Sequence, residues 1–425
     1  MVLTALLLSQ ICSFGVASVA TIVEEVGESS RAIGDFAPSK FAVSEHETIS
    51  LRSCFCNRFV DISDCELLHG QNLGFRTTAI RVRASTDVAI VNEVNLEQQP
   101  VSGKSPHGIV FGVFIPQGWK MELTSITDPS DKWNKTVEIA VLADQLGYDS
   151  LWVYDHFHNV PRPAHETVFE CWSTIAAISQ RTSRIRLGQM VGCNSYRNPG
   201  LLAKITSTID VISGGRLEWG IGAGWYENEY RAYGYEFPKP KDRIGMLRES
   251  VEIVRSMWTE AETTYKGKHY EVFRANCDPK PVQKPTPPIW IGGGGEQLTL
   301  RVVAQLADCS NFGGTPDEWA RKRETLLGHC QTVGRDPLEI RMTWSPELFI
   351  RETEKELHED APKRTTGETF EEWRSGNLVG TPEEVAEKVA TYIKLGCSGF
   401  IPWSADYPST QTIELFATKV MANFK

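Results

Sequence analysis

From residue 109 to the end of the chain one pattern returns eight times: a short apolar run, a turn, then a stretch of helical period. The apolar runs fall at 109–115, 150–154, 184–191, 216–222, 289–291, 308–312, 339–350 and 399–403. Helical spacing is read at 131–147, 166–181, 198–213, 242–259, 296–306, 316–333, from Thr381 onward, and at 410–422. Local signals mark the boundaries. Gly147 and the pair Gly214-Gly215 stop helices, because glycine tolerates the left-handed conformation a helix end requires. Thr381-Pro-Glu-Glu384 starts one: the hydroxyl caps, proline needs no donor in the first turn, and the acids face the positive end of the helix dipole.

Short runs that are apolar on both faces, each followed by a helix, describe a parallel sheet covered by helices. Eight such units in roughly 315 residues fit one (β/α)8 TIM barrel with insertions. An open doubly wound sheet fits less well, because no GxGxxG follows the first strand. The insertions are a hairpin at 263–272 turning on Lys266-Gly-Lys268, a proline-rich connection at 279–288, and a charged, loop-like stretch at 353–378.

Residues 1–106 differ from the rest. They hold none of the 12 tryptophans, show little periodicity, and end in the linker-like Gln98-Gln-Pro-Val-Ser-Gly-Lys-Ser-Pro-His107. The expected organisation is an N-terminal extension over 1–106, poorly structured or lying upstream of the true start, and one catalytic unit over 107–425. The first 20 residues resemble a signal peptide but lack its basic leading segment. Ten scattered cysteines, with only Cys54-x-Cys56 closely spaced and no CxxC, suggest reduced thiols and a cytoplasmic protein. The net charge of −10 argues against non-specific nucleic-acid binding, and no apolar run reaches the roughly 18 residues of a membrane span.

In a parallel α/β barrel the chemistry sits where the strands end. Leu151-Trp-Val-Tyr-Asp-His-Phe-His158 runs from a buried strand into an acid and two imidazoles. His156 is suited to proton transfer near neutral pH, with Asp155 orienting it. His-x-His also suits a metal, but the later strand ends offer Met190, Gly222 and Gly292 rather than ligands, so no metal is expected. Gly220-Ile-Gly-Ala-Gly-Trp-Tyr-Glu-Asn-Glu229 follows the fourth strand; its small residues let backbone approach a planar or anionic ligand, or merely make a tight turn. Gly292-Gly-Gly-Gly295 before a helix is a nest for a phosphate, with Glu296 acceptable only if turned away. Arg197 reads equally as a structural ion-pair residue or a ligand cation. Trp119, Trp225 and Trp403 stand at strand ends, placed to wall a flat molecule or to pack the core.

Five stretches together resemble the luciferase-like flavin and deazaflavin barrels, and within them the F420-dependent oxidoreductases. These are FGVFIPQGW (111–119), LGYDSLWVYDHF (146–157), CNSYRNPGLLAKITSTIDVISGGRLEWGIGAGWYENEYRAYGY (193–235), PPIWIGGGGE (287–296) and GTPEEVAEKV (380–389). The resemblance implies a homodimeric oxidoreductase that moves a hydride between coenzyme F420 and a small organic substrate. His156 would be the proton donor facing the ring. The cofactor would lie against Met190, Val191, Gly222, Gly224, Trp225 and Gly293, with its phosphate on Gly294 and Gly295. A cis peptide, frequent in this family's third strand, would fall at Met190–Val191. The alternatives are an FMN-dependent monooxygenase that activates oxygen and a non-catalytic flavin-binding barrel. Sugar-phosphate dehydrogenases of the family carry a catalytic Glu directly after the fourth-strand glycines; Trp225 stands there, which argues against sugar-phosphate oxidation by that mechanism.

Overall fold

The computed structural model describes residues 108–363 and 367–424, and for the backbone alone 51–55, 58–62, 65–72 and 75–82. The chain divides into two compact units, Met1–Glu97 and Gln98–Lys425. In the first, two antiparallel hairpins pair Leu51–Phe55 with Arg58–Ile62 and Cys65–Asn72 with Phe75–Val82, within the stretch expected to lack regular structure. The signal-like start and the side chains of Cys54 and Cys56 lie outside the described residues.

The second unit is a closed parallel barrel. Its strands are β1 (Val110–Phe114), β2 (Ser150–Val153), β3 (Arg186–Gln189), β4 (Leu217–Gly222), β5 (Ile289–Gly292), β6 (Cys309–Asn311), β7 (Arg341–Trp344) and β8 (Gly399–Phe400). Each pairs with the next in parallel, and β8 pairs with β1 to close the ring. The TIM-barrel expectation therefore holds. The main helices outside are α1 (Pro129–Gln145), α2 (Cys171–Ser179), α3 (Pro199–Ile212), α4 (Glu227–Ala232), α5 (Pro240–Thr259), α6 (Thr299–Leu306), α7 (Pro316–Val333), α8 (Pro382–Lys394) and α9 (Gln411–Leu415).

Prolines explain two departures from the sequence reading. The run 339–350 breaks into β7 and Glu347–Ile350 at Pro346, and the last run breaks at Pro402, because proline gives the ladder no donor. The outer pieces Glu347–Ile350, Leu378–Gly380 and Trp403–Ser404 form their own parallel sheet at the rim. The charged stretch 353–378 is not all loop: it carries helices at Glu354–Glu359 and Phe370–Gly376, each opened by a Thr/Glu capping box.

Tryptophan fills the barrel interior. Trp152 on β2 meets Trp290 on β5 edge to face, with centroids 4.7 Å apart. Room for it comes from the neighbouring strands: a Cβ at Gly112 would lie 2.6 Å from Trp152 Nε1, and one at Gly188 would lie 2.5 Å from its Cζ3. Trp290 Nε1 donates to Glu218, which also pairs with Arg186, so the polar edge of this packing is satisfied. This plug sits among the strands and leaves the site at their carboxyl ends. Gly188→Ala, which sets a methyl against Trp152 and 2.8 Å from the Glu218 carbonyl, is expected to cost about 1–3 kcal/mol in a denaturant titration.

Candidate active site

At the carboxyl ends of the strands lies a cavity of about 430 Å³. His156 stands on its wall, and the group that holds it is Glu229, on the short helix α4 in the loop after β4. His156 Nδ1 lies 2.8 Å from Glu229 Oε2. The other carboxylate oxygen accepts from the Phe157 and His158 amides at 2.7 and 2.8 Å, and the Tyr196 hydroxyl donates to Oε2 at 2.9 Å. Glu229 is fully buried, with 0% exposure. Burial alone would raise its carboxyl; the hydrogen bond and charge of His156 and the amides of His158 and Phe157 outweigh that and hold it below the usual carboxylate range. The Tyr196 phenol is pushed up by burial first and then by neighbouring Cys193 and Glu229, so it stays a donor. The imidazole stacks flat on Trp119, 4.3 Å away at 2°, and meets Trp225 and Tyr226 edge-on.

Asp155 does not orient His156, which corrects the expectation. Its oxygens accept from Arg197 Nη1 at 2.6 Å and Nη2 at 3.0 Å, and from the Cys193 amide at 2.8 Å. Asp155 and His156 both line the cavity, but each has its own partner: Arg197 for Asp155 and Glu229 for His156. Arg197 is thus an ion-pair residue. Burial would lower its guanidinium, but the Asp155 charge outweighs this and raises it. Asp155, Glu170 and Cys171 cluster as metal ligands do, yet Arg197 bonds to all of them. His158 turns to Asn228, with Nδ1 3.0 Å from Oδ1.

The cavity floor is a bulge between β3 and β4. Gly188 pairs with Glu218 and Gly192 with Ile221, so the first strand advances four residues while the second advances three. The extra residue lies at Met190–Val191, whose peptide bond is cis, and both side chains line the cavity. Gly222 and Gly224 also line it, but their missing side chains make room for protein. A Cβ at Gly222 would lie 2.5 Å from Val191 Cγ2; one at Gly224, where φ is +74°, would lie 2.0 Å from the Tyr230 hydroxyl.

The four-glycine loop divides into two parts. Gly292 and Gly293 line the cavity, and the Gly293 amide is already bonded to the Asn311 carbonyl at 3.0 Å. Among the described residues the amides of Gly294 and Gly295 have no protein partner. Helix α6 begins at Thr299 rather than 296, with a turn between. Glu296 is turned away, its carboxylate 3.1 Å from Arg321 Nε. Trp119 and Trp225 line the cavity; Trp403 does not, and lies under the Lys120 ammonium at 4.0 Å. Sequence reasoning missed Glu229 and the cavity-lining Arg243. The second Glu of Trp225-Tyr-Glu-Asn-Glu229 was visible, but nothing local marks a side chain that reaches back to residue 156.

Because the Glu229 carboxyl is lowered on folding, its contribution is complete above the ordinary value of 4.5 and is lost as pH falls through the lower folded value. Glu229→Gln is expected to cost about 1–3 kcal/mol at neutral pH, since the charge is lost and an amide NH2 replaces one of the two acceptor oxygens that serve the backbone amides on one side and Tyr196 and His156 on the other. Thermal melts from pH 7 down to 3 check this: the gap between wild type and variant should narrow in acid.

Residues 109–376 match the luciferase-like monooxygenase family. A protein of Kineococcus radiotolerans named F420-dependent glucose-6-phosphate dehydrogenase is 32% identical over 319 residues, 68% of this chain and 92% of that protein. One of the same name from Amycolatopsis mediterranei is 36% identical over 180 residues, 42% of this chain; the match spans about half, 51%, of that protein. Among solved structures, the coenzyme F420-dependent tetrahydromethanopterin reductase of Methanopyrus kandleri superposes with a TM-score of 0.62 at 18% identity, over 75% of this chain and 100% of the other, a likeness of fold. With a barrel of this topology and a family match over most of its length, the chain belongs to the luciferase-like monooxygenase family.

Proposed function

We propose that this chain is an F420-dependent oxidoreductase that moves a hydride between the deazaflavin and a small organic substrate, with His156 as the residue that gives or takes the proton. The observation that carries this reading is the His156–Glu229 pair on the wall of a cavity floored by the Met190–Val191 bulge. The names of the relatives favour F420 over FMN. The residues present fit such a group. Trp119 lines the cavity and its buried Nε1 has no protein partner, the Gly294 and Gly295 amides just past the cavity-lining Gly292 and Gly293 have no protein partner either, and Trp119, Trp225 and Tyr226 wall the cavity with aromatic rings.

When bound, F420 supplies a ring that carries the hydride; orientation, electrostatics and the proton are the protein's share. With Nδ1 engaged by Glu229, Nε2 is the nitrogen of His156 left to exchange a proton with a substrate. The buried carboxylate fixes the ring against Trp119. Asp155, held by Arg197, accepts from the Cys193 amide and so positions the strand that follows the bulge. Trp225 is 61% exposed at the rim, where sugar-phosphate enzymes of the family carry an acid; this supports a less polar, planar substrate. We also infer that residues 107–425 carry the activity, in a cytoplasmic homodimer that does not bind nucleic acid. The family resemblance, the buried free thiols of the described cysteines and the charge of −10 support those points.

His156→Ala should keep F420 affinity within several-fold and lower turnover by roughly 100-fold or more, measured as oxidation of reduced F420 in a substrate screen. Asp155→Asn should instead lower the melting temperature, with turnover following the folded fraction. Full turnover in the His156 variant would remove that residue from the chemistry. Cofactor binding with no turnover on any substrate would favour a carrier barrel.

A further inference from the structure

Arg243, in the first turn of α5, stands apart from the other charges around the cavity. It lines the cavity and is 8% exposed. Its guanidinium lies over the Phe237 ring at 4.1 Å. Nη1 donates to the Pro238 carbonyl, and Nε is buried without a partner. Among the described residues no carboxylate pairs with it. The other ionisable pairs of the wall are complete: Asp155 has Arg197, and His156 has Glu229.

A guanidinium is always charged and presents five donors in a planar fork that suits an oxyanion. Burying one with a single carbonyl and no counter-charge is costly, so a counter-charge from a ligand gains more here than at an exposed site. The chain as a whole carries −10, so this cation does not reflect a generally basic surface. Gly292 and Gly293 line the same cavity, so backbone on another element also closes on the space.

We propose that Arg243 is the counter-charge for an oxyanion, a phosphoester or a carboxylate, of the molecule that the cavity holds. Two sources share that chemistry: the side chain of the cofactor, and a substrate seated beside it. The inference rests on the reading of this cavity as the ligand site and is independent of which ring it holds.

The test follows tryptophan fluorescence of wild type, Arg243→Met and Arg243→Lys. Each is titrated with F420, with the deazaflavin riboside that lacks the phosphate, and with inorganic phosphate in the presence and absence of F420. If the anion is the cofactor's, the Met variant binds F420 at least tenfold more weakly, binds the riboside within twofold of wild type, and the Lys variant recovers part of the loss. If it is the substrate's, both cofactor affinities stay within twofold while phosphate binding to the F420 complex is lost. All affinities within twofold of wild type would overturn the proposal. Should the Met variant fail to fold, Arg243→Gln, which keeps a donor for the Pro238 carbonyl without the charge, is read in the same way. A wild type that binds phosphate through Arg243 but not F420 would support the anion site and refute the cofactor assignment.

Discussion

The site depends on one buried carboxylate. Glu229 has no solvent contact, and it gathers His156, the Phe157 and His158 amides and the Tyr196 hydroxyl. These partners come from the loop after β2 and the segment before α3, while Glu229 itself sits after β4. Its hydrogen bonds therefore tie neighbouring barrel loops together and set the imidazole at once. A carboxylate is affordable in this position only because its acceptor sites are filled by donors. The Asp155–Arg197 pair ties the same loops beside it, so the segment around His156 carries two satisfied charge networks.

Glycine does different work here from what a Gly-rich loop usually suggests. Gly220, Gly222 and Gly292 surround the Gln189–Val191 bulge, and a Cβ at Gly220 would lie 1.8 Å from the Gln189 carbonyl oxygen. The bulge is the object these residues accommodate, and it presents Met190 and Val191 to the cavity as an apolar floor. Among the described residues the amides of Gly294 and Gly295 have no protein partner, beside a Glu296 whose carboxylate meets Arg321. Room for the chain and room for a ligand are supplied by different glycines.

Much of the architecture was legible because it is local. Apolar runs, helix caps and stop signals gave the barrel, and α8 begins at the expected Thr381 with the expected capping box. What was not legible is tertiary. Asp155 is next to His156 in sequence, yet the partner of His156 lies 73 residues away, in a short helix that periodicity does not mark. Arg243 reads as one more charge in a polar first turn until the fold brings it against the cavity. The breaks at Pro346 and Pro402 were visible as residues, but only the rim sheet shows why the chain leaves the barrel there.

The reading to test first is that this cavity holds a deazaflavin. Its most direct test is a side-by-side titration of the protein with F420 and with FMN, followed by the quenching of tryptophan fluorescence, since Trp119 and Trp225 line the cavity. Micromolar or tighter binding of F420 and much weaker binding of FMN are expected. Tight FMN with weak F420, accompanied by oxygen consumption under reduced flavin, would contradict it.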